Sequence, residues 1–174
     1  MVKNVIETHP FEVFIPKNIK SLIVGSFPGK QQTQSELDET HWFYGAPRNQ
    51  LWKILELVYK TELKNRQQKQ RLFEEAGIGM TDIIKSCVRI EGTNLDENLD
   101  IKEYNKETIE KILKQHRPKV LFTSRFVEKE FKKLFADYKN IDILPSPSPR
   151  YFRLRIEDKA KIYKEKLPKL REIL

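Results

Sequence analysis

A chain of 174 residues is long enough to form one domain with a complete hydrophobic core. Its net charge of +8 favours a polyanionic partner, although a lysine-rich solvated surface explains the same charge equally well. The single cysteine, Cys87, excludes an internal disulfide, an iron–sulfur cluster and a cysteine-based zinc site, and no stretch of sequence has the length and hydrophobicity of a membrane span. We therefore expect a monomeric, cytoplasmic, single-domain protein over residues 1–174, without metal or cofactor.

Apolar runs and apolar stripes predict strands that alternate with helices. Ser21–Gly25 is a short apolar run ending in glycine, which is typical of a buried parallel strand. Residues 26–48 are polar and aperiodic, so they form a long loop of the kind that carries function. The later predicted elements are a helix from about Asn49, a helix at 65–76, a strand at 77–84, a helix at 105–115, a strand at 120–123, a helix at 125–135, a short strand at 141–144 and a basic helix at 156–174 interrupted at Pro168.

This alternation predicts an α/β fold, a three-layer sandwich with a short, mainly parallel four-stranded sheet flanked by helices. In such sheets, ligands bind outside the carboxyl ends of the strands. Three conspicuous segments stand at strand ends: the loop after Val24, the end of the 77–84 strand, and the proline–serine run after Leu144. We expect these segments to converge in space.

Four segments of the chain carry a family resemblance. They are Gly-Ser-Phe-Pro-Gly at 25–29, Phe-Tyr-Gly-Ala-Pro-Arg-Asn-Gln-Leu-Trp at 43–52, Thr-Asp-Ile-Ile-Lys-Ser-Cys at 81–87 and Leu-Pro-Ser-Pro-Ser-Pro at 144–149. Together they resemble the uracil-DNA glycosylase superfamily, and the segment at 43–52 is similar to the Pro-x-Asn-x-x-Trp segment of its mismatch-specific and hypoxanthine-specific branches. The resemblance implies a DNA glycosylase that acts on duplex DNA containing a damaged base.

Two departures from the superfamily pattern refine this expectation. Ser26 and Phe27 stand where other branches place a water-activating Asp, Asn or Glu, and Leu144 stands where His or Asn often opens the last motif. Both departures match the hypoxanthine-DNA glycosylase branch, whose catalytic asparagine corresponds to Asn49. The resemblance thus implies monofunctional hydrolysis of the N-glycosidic bond of a flipped deaminated base, with hypoxanthine preferred over uracil.

Asn49 is the predicted catalytic residue, able to orient water or to donate a hydrogen bond to the departing base. Its alternative role is a helix N-cap, and the two roles can coexist. The predicted base pocket comprises Gly25, Ser26, Phe27, Tyr44 and Asp82. Phe27 and Tyr44 either stack on the base or pack in the core, whereas Asp82 either accepts a hydrogen bond from a base N–H or caps the following turn.

The predicted DNA-binding residues are Pro145, Ser146, Pro147, Ser148, Arg150 and Tyr151. Three prolines stiffen the loop, so that its hydroxyls and amides can contact phosphates, and the alternative is a plain surface turn. The lysines of the last helix, Lys159 among them, are expected to form a solvated face. Two other functions compete: a DNA-binding protein that has lost catalysis, and a small-molecule enzyme binding a nucleotide phosphate at 25–29, which lacks the Gly-x-Gly-x-x-Gly pattern.

Overall fold

The structure, a computed structural model, describes residues 5–34, 40–92 and 94–170. Its strands are β1 (Ile6–Thr8), β2 (Ser21–Gly25), β3 (Ile78–Asp82), β4 (Ile84–Arg89), β5 (Leu99–Tyr104), β6 (Lys119–Phe122) and β7 (Ile141–Ile143). Its helices are α1 (Lys30–Gln34), α2 (Leu51–Tyr59), α3 (Arg66–Ala76), α4 (Lys106–His116), α5 (Arg125–Leu134) and α6 (Ile156–Lys166). Short 3-10 turns lie at Ile90–Gly92 and Asp96–Asn98. None of the helices in these ranges is long and apolar enough to cross a membrane.

The central sheet has four strands in the order β3-β2-β6-β7, and all three pairings are parallel. Every residue of β2 is buried, because this strand lies inside the sheet with side chains covered on both faces. The register places Gly25 opposite Asp82, at the carboxyl ends of β2 and β3. The predicted four-stranded parallel sheet is therefore confirmed.

Two separate cores make the fold three-layered. Ile23 points into a core shared with α2, α3 and α6, whereas its neighbours Leu22 and Val24 point into a core shared with α4 and α5. This alternation follows from the period of two along a strand. Helices therefore cover both faces of the sheet, as the sequence predicts.

An additional three-stranded antiparallel sheet, in the order β1-β4-β5, was not expected from the sequence. The predicted strand at 77–84 is wrong at its end: β3 stops at Asp82, and β4 begins at Ile84 in the other sheet. The amides of Ile83 and Ile84 bond to the carbonyls of Gly25 and Ser26, so the chain stays attached to β2 while it changes sheet. No glycine or proline marks this change, which explains why the sequence pattern conceals it.

The last helix also differs from expectation. Its regular part ends at Lys166, before Pro168, and residues 171–174 of the predicted helix lie outside the described residues. Lys159 is not part of a solvated face, because its exposed fraction is 0%. The prediction for this lysine was wrong, and its contacts belong to the site described below.

Candidate active site

The carboxyl end of β2 is a glycine, and two polar side chains lie directly against it. A Cβ atom on Gly25 would lie 2.2 Å from Tyr44 Oη and 2.5 Å from Asp82 Oδ1, far inside van der Waals contact. Any larger residue would therefore displace both polar groups. The absence of a side chain at Gly25 allows the phenol and the carboxylate to share the space above the strand end.

Asp82 is held by a histidine from the start of the chain. His9 Nε2 lies 2.7 Å from Asp82 Oδ2, and the two side chains are only 4% and 7% exposed. The other ring nitrogen, His9 Nδ1, accepts a hydrogen bond from the amide of Phe11. A nitrogen that accepts carries no proton, so the proton sits on Nε2 and a neutral His9 donates to Asp82. Within residues 5–34, 40–92 and 94–170, the Asp82 carboxylate bonds to no turn amide, and its backbone carbonyl accepts from Asn105 Nδ2 at 2.8 Å.

Tyr44 bridges the ends of β2 and β6. Its backbone has a positive φ of 55°, and its Oη lies 2.8 Å from Thr123 Oγ1, directly after β6. Burial, and then the negative charge of Asp82, raise the pKa of the Tyr44 hydroxyl well above its usual range. The hydroxyl therefore stays neutral and can act as a hydrogen-bond donor near the carboxylate.

Ser26 and Phe27 continue the chain from Gly25. Ser26 Oγ donates a hydrogen bond of 2.7 Å to Oδ1 of Asp96, in the 3-10 turn at Asp96–Asn98. Phe27 packs edge-on against His9 with 5.7 Å between ring centroids, and the guanidinium of Arg89 lies 5.6 Å from its ring centre. Both residues therefore adjoin groups that the sequence did not single out, His9 and Asp96.

Asn49 immediately precedes Gln50, the N-cap residue of α2, and its side chain satisfies the first amide of the helix where Gln50 does not. Its Oδ1 accepts a hydrogen bond of 2.9 Å from the amide of Leu51, the first helical residue. Because a backbone amide only donates, this bond fixes which end of the side-chain amide is oxygen and leaves Nδ2 directed elsewhere. Asn49 Nδ2 bonds to no other residue in the described ranges, so it is free to donate to a ligand.

The proline–serine run packs directly against this helix start. The amide of Gln50, next to Asn49, donates to the carbonyl of Pro147 at 2.8 Å. Tyr163 Oη of α6 donates to the carbonyl of Pro145 at 2.6 Å. Within the run, Ser146 Oγ accepts from the amide of Ser148, and Ser148 Oγ accepts from the amide of Arg150. The hydroxyls thus brace a stiff loop beside Asn49.

Lys159 connects the proline–serine run to the start of α2. Its fully buried Nζ donates to Gln50 Oε1 at 2.7 Å and to the carbonyl of Ser148 at 3.3 Å, and it lies 5.4 Å from the ring centre of Tyr151. Burial lowers the pKa of this ammonium group. Among the described residues, no carboxylate pairs with it.

An aromatic tip follows the loop. Phe152 is 86% exposed, whereas Tyr151 is 39% exposed and lies over Lys159. Arg150 and Arg153, on either side of this pair, are exposed. The loop therefore presents apolar aromatic surface directly beside positive charge.

The structure brings the predicted segments to one edge of the sheet. From Asp82 on β3 to Leu144 after β7 there are three strand spacings, about 14 Å at 4.7–4.9 Å each. Sequence reasoning missed His9, Asp96, Lys159 and Phe152, because none lies in a recognisable motif. In contrast, Trp42, Phe43 and Trp52 are buried in the core, and Trp52 donates to the carbonyl of Phe43.

The site residues present do not suggest a metal centre. Within the described residues, no group of three or more His, Cys, Asp or Glu side chains is placed to hold a metal ion. The single thiol, Cys87, lies buried in the core shared with α4 and α5.

Comparison with known proteins places these features in a family context. A family model described as the uracil DNA glycosylase superfamily matches residues 12–171. A hypoxanthine DNA glycosylase from Methanosarcina barkeri (strain Fusaro / DSM 804) is 30% identical over 117 residues, which cover 66% of this chain and 70% of that protein. The solution NMR structure of a protein from Methanosarcina acetivorans superposes with a TM-score of 0.67 at 21% identity, covering 92% of this chain and 98% of the other, and supports the fold.

Proposed function

The chain belongs to the uracil-DNA glycosylase superfamily and is a DNA glycosylase, and from this premise we propose that it is a monofunctional hydrolase that removes hypoxanthine in preference to uracil from duplex DNA. The observation that carries the proposal is the fixed direction of the Asn49 amide beside the proline–serine loop. The hypoxanthine DNA glycosylase relative supports the choice of base.

Cleavage of an N-glycosidic bond leaves positive charge on the sugar and negative charge on the departing base. Asn49 Nδ2 donates a hydrogen bond to this base, and the donor is positioned before reaction because Leu51 holds the Oδ1 end. A donor preorganised toward developing negative charge is the arrangement that lowers such a barrier most effectively. Asn49 therefore acts both as helix cap and as leaving-group stabiliser.

Asp82 reads the base edge. Deamination of adenine converts ring nitrogen N1 from a hydrogen-bond acceptor into an N–H donor. The Asp82 carboxylate, fixed by His9, accepts from that N–H and repels the lone pair of an unmodified adenine. Gly25 leaves room for the Asp82 carboxylate and the Tyr44 hydroxyl at the strand end, and Tyr44 and Phe27 line the pocket beside that carboxylate.

The target base reaches this pocket only after extrusion from the duplex, which costs a few kcal/mol. The braced loop with Pro145, Ser146, Pro147 and Ser148 contacts phosphates, and Arg150 adds positive charge. Phe152 fills the space that the flipped nucleotide leaves, because its ring is 86% exposed, and Tyr151 lies beside it. All of these groups come from one chain, so a monomer is sufficient for the proposed reaction.

The test uses end-labelled duplexes that carry one hypoxanthine, uracil or xanthine, with alkali cleavage of the resulting abasic sites. We expect scission at hypoxanthine first, weaker scission at uracil, and none without alkali, because a monofunctional enzyme leaves the strand intact. Asn49→Ala should lose about 100-fold or more in rate while binding DNA. Binding without scission on every substrate would instead identify a non-catalytic DNA-binding protein.

A further inference from the structure

The geometry points to Asp96 as the general base that binds and deprotonates the water attacking C1′. This inference rests on the proposed function, since it assigns the other half of the same reaction. Asn49 acts on the departing base, so another group must act on the water. Neither Ser26 nor Phe27, which follow the central strand, offers a base for that purpose.

Two carboxylates adjoin the open end of β2, and they differ in how they are engaged. Asp82 has Oδ2 bonded to His9, and its Oδ1 lies over Gly25 beside the Tyr44 hydroxyl. That carboxylate is directed at the base pocket. Asp96 is the other carboxylate, and its position allows a separate task.

Asp96 is attached to the loop that follows β2. Its Oδ1 accepts the proton of Ser26 Oγ at 2.7 Å, and its Oδ2 bonds to no other residue in the described ranges. Asn94, two residues before this turn, is also held, because its Oδ1 accepts from the amide of Lys30 at 3.0 Å. One carboxylate oxygen is thus held in place and the other is available to a water molecule, which is the orientation a general base needs.

The electrostatic environment suits this task. Burial, together with the negative charges of Asp82 and Glu97, raises the pKa of Asp96, while the Ser26 hydrogen bond and Arg89 oppose the rise. A carboxylate with a raised pKa accepts a proton more readily, which is what a general base requires.

The reaction then balances in one sequence. The C1′–N bond breaks and its electron pair leaves with the base, whose negative charge is stabilised by Asn49. Water oxygen forms the bond to C1′, and its proton passes to Asp96 Oδ2. The base is released after protonation from solvent, and Asp96 returns its proton to solvent, leaving an abasic sugar with a C1′ hydroxyl.

The experiment compares Asp96→Asn with the matched control Glu97→Gln, an exposed carboxylate one residue away in the same turn. Single-turnover excision of hypoxanthine should fall about 100-fold or more in Asp96→Asn, with duplex binding and melting temperature retained. Glu97→Gln should stay within about twofold of wild type. An Asp96→Asn protein with more than a third of the wild-type rate would overturn the inference.

A further variant, Ser26→Ala, separates a chemical role from a structural one. Loss of the Ser26 donor raises the pKa of Asp96 further, so the acidic limb of the pH–rate profile should move to higher pH. If the acidic limb of the pH–rate profile did not move in Ser26→Ala, the inference would be overturned, even if Asp96→Asn proved too unstable to assay. Wild-type protein that excises no base on any substrate would instead refute the proposed function itself.

Discussion

His9 and Asp82 form a buried hydrogen bond of 2.7 Å between residues 73 positions apart in the sequence. The amide of His9 also donates to the carbonyl of Lys85, so the segment that carries His9 is attached to β4. The position of the Asp82 carboxylate, which we propose faces the base, therefore depends on the segment before the central sheet.

Replacing His9 with alanine should disturb both stability and base recognition. The buried Asp82 carboxylate would lose its donor, which costs about 1–3 kcal/mol of the free energy of unfolding. Urea denaturation measures this loss, and single-turnover excision should show a parallel fall in rate. His116→Ala, at the exposed end of α4, is the control and should change neither quantity. If His9→Ala kept the wild-type free energy of unfolding and the wild-type excision rate, Asp82 would not depend on the hydrogen bond from His9.

Asn49→Asp should separate capping from catalysis. Aspartate caps a helix as well as asparagine, so the free energy of unfolding should stay close to wild type. The variant has no Nδ2 donor and adds negative charge near the departing base, so excision should fall at least as far as in Asn49→Ala. Asn65→Ala is the matched control, because Asn65 caps α3 through the amide of Gln68. That control should lose about 1 kcal/mol of stability and keep full activity.

Gly25→Ala should inactivate the pocket through crowding. The added Cβ would meet Tyr44 Oη at 2.2 Å and Asp82 Oδ1 at 2.5 Å, so both groups must move. We expect at least a tenfold lower kcat/KM, or about 1.4 kcal/mol of transition-state stabilisation. Gly29→Ala is the control, because its nearest neighbour, Asn94, would lie 3.7 Å from the new Cβ. Equal rates for the two variants would contradict the pocket geometry.

Phe152→Ala should impair base extrusion without affecting the fold, because the side chain is 86% exposed. The loss of rate should be largest for hypoxanthine in a stable base pair and smallest in single-stranded DNA, where no stacking is broken. Leu57→Ala, at a half-exposed position on α2, serves as the control. An equal loss of rate on paired and single-stranded substrates would argue against a role of Phe152 in base extrusion.

Lys159→Met should reveal the buried ammonium through the pH dependence of stability. Burial lowers the pKa of Lys159 in the folded state, whereas the unfolded chain has a pKa of about 10.4. At pH values between the folded and the unfolded pKa, the unfolded state binds more protons, so the free energy of unfolding of the wild type should rise with pH relative to that of Lys159→Met. At pH values below both pKa values, the difference in free energy of unfolding between the two proteins should be constant. Urea denaturation at several alkaline pH values measures the difference in free energy of unfolding between wild type and Lys159→Met. Lys161→Met, at an exposed position, is the control. A difference in free energy of unfolding that does not change across this alkaline pH range would contradict the prediction.

The central sheet was predictable because its two inner strands, β2 and β6, are largely apolar on both faces. Ser21–Gly25 carries this signal, and the apolar stripe of α2 carries the helical one. The antiparallel sheet was not predictable for the opposite reason. β1 has three residues at an edge, and β5 is largely exposed, so neither needs an apolar pattern.

The proposed site residues that lie within motifs could be predicted from the sequence, whereas those outside motifs could not. Asn49, Tyr44 and Asp82 lie in the segments that carry the family resemblance. His9 and Asp96 enter the site through long-range contacts, and an isolated histidine or aspartate in a polar stretch resembles any surface residue. Lys159 was interpreted as solvated because lysine is rarely buried without a carboxylate.

The long sequence separations within the site have a kinetic consequence. Lys159 and Gln50 are 109 positions apart, and the pairing of His9 with Asp82 likewise closes a long segment of chain. Contacts of this range form late, because the entropy of loop closure must be overcome before they stabilise anything. During refolding, base excision should therefore return only with the final, rate-limiting phase, well after helical circular dichroism has recovered.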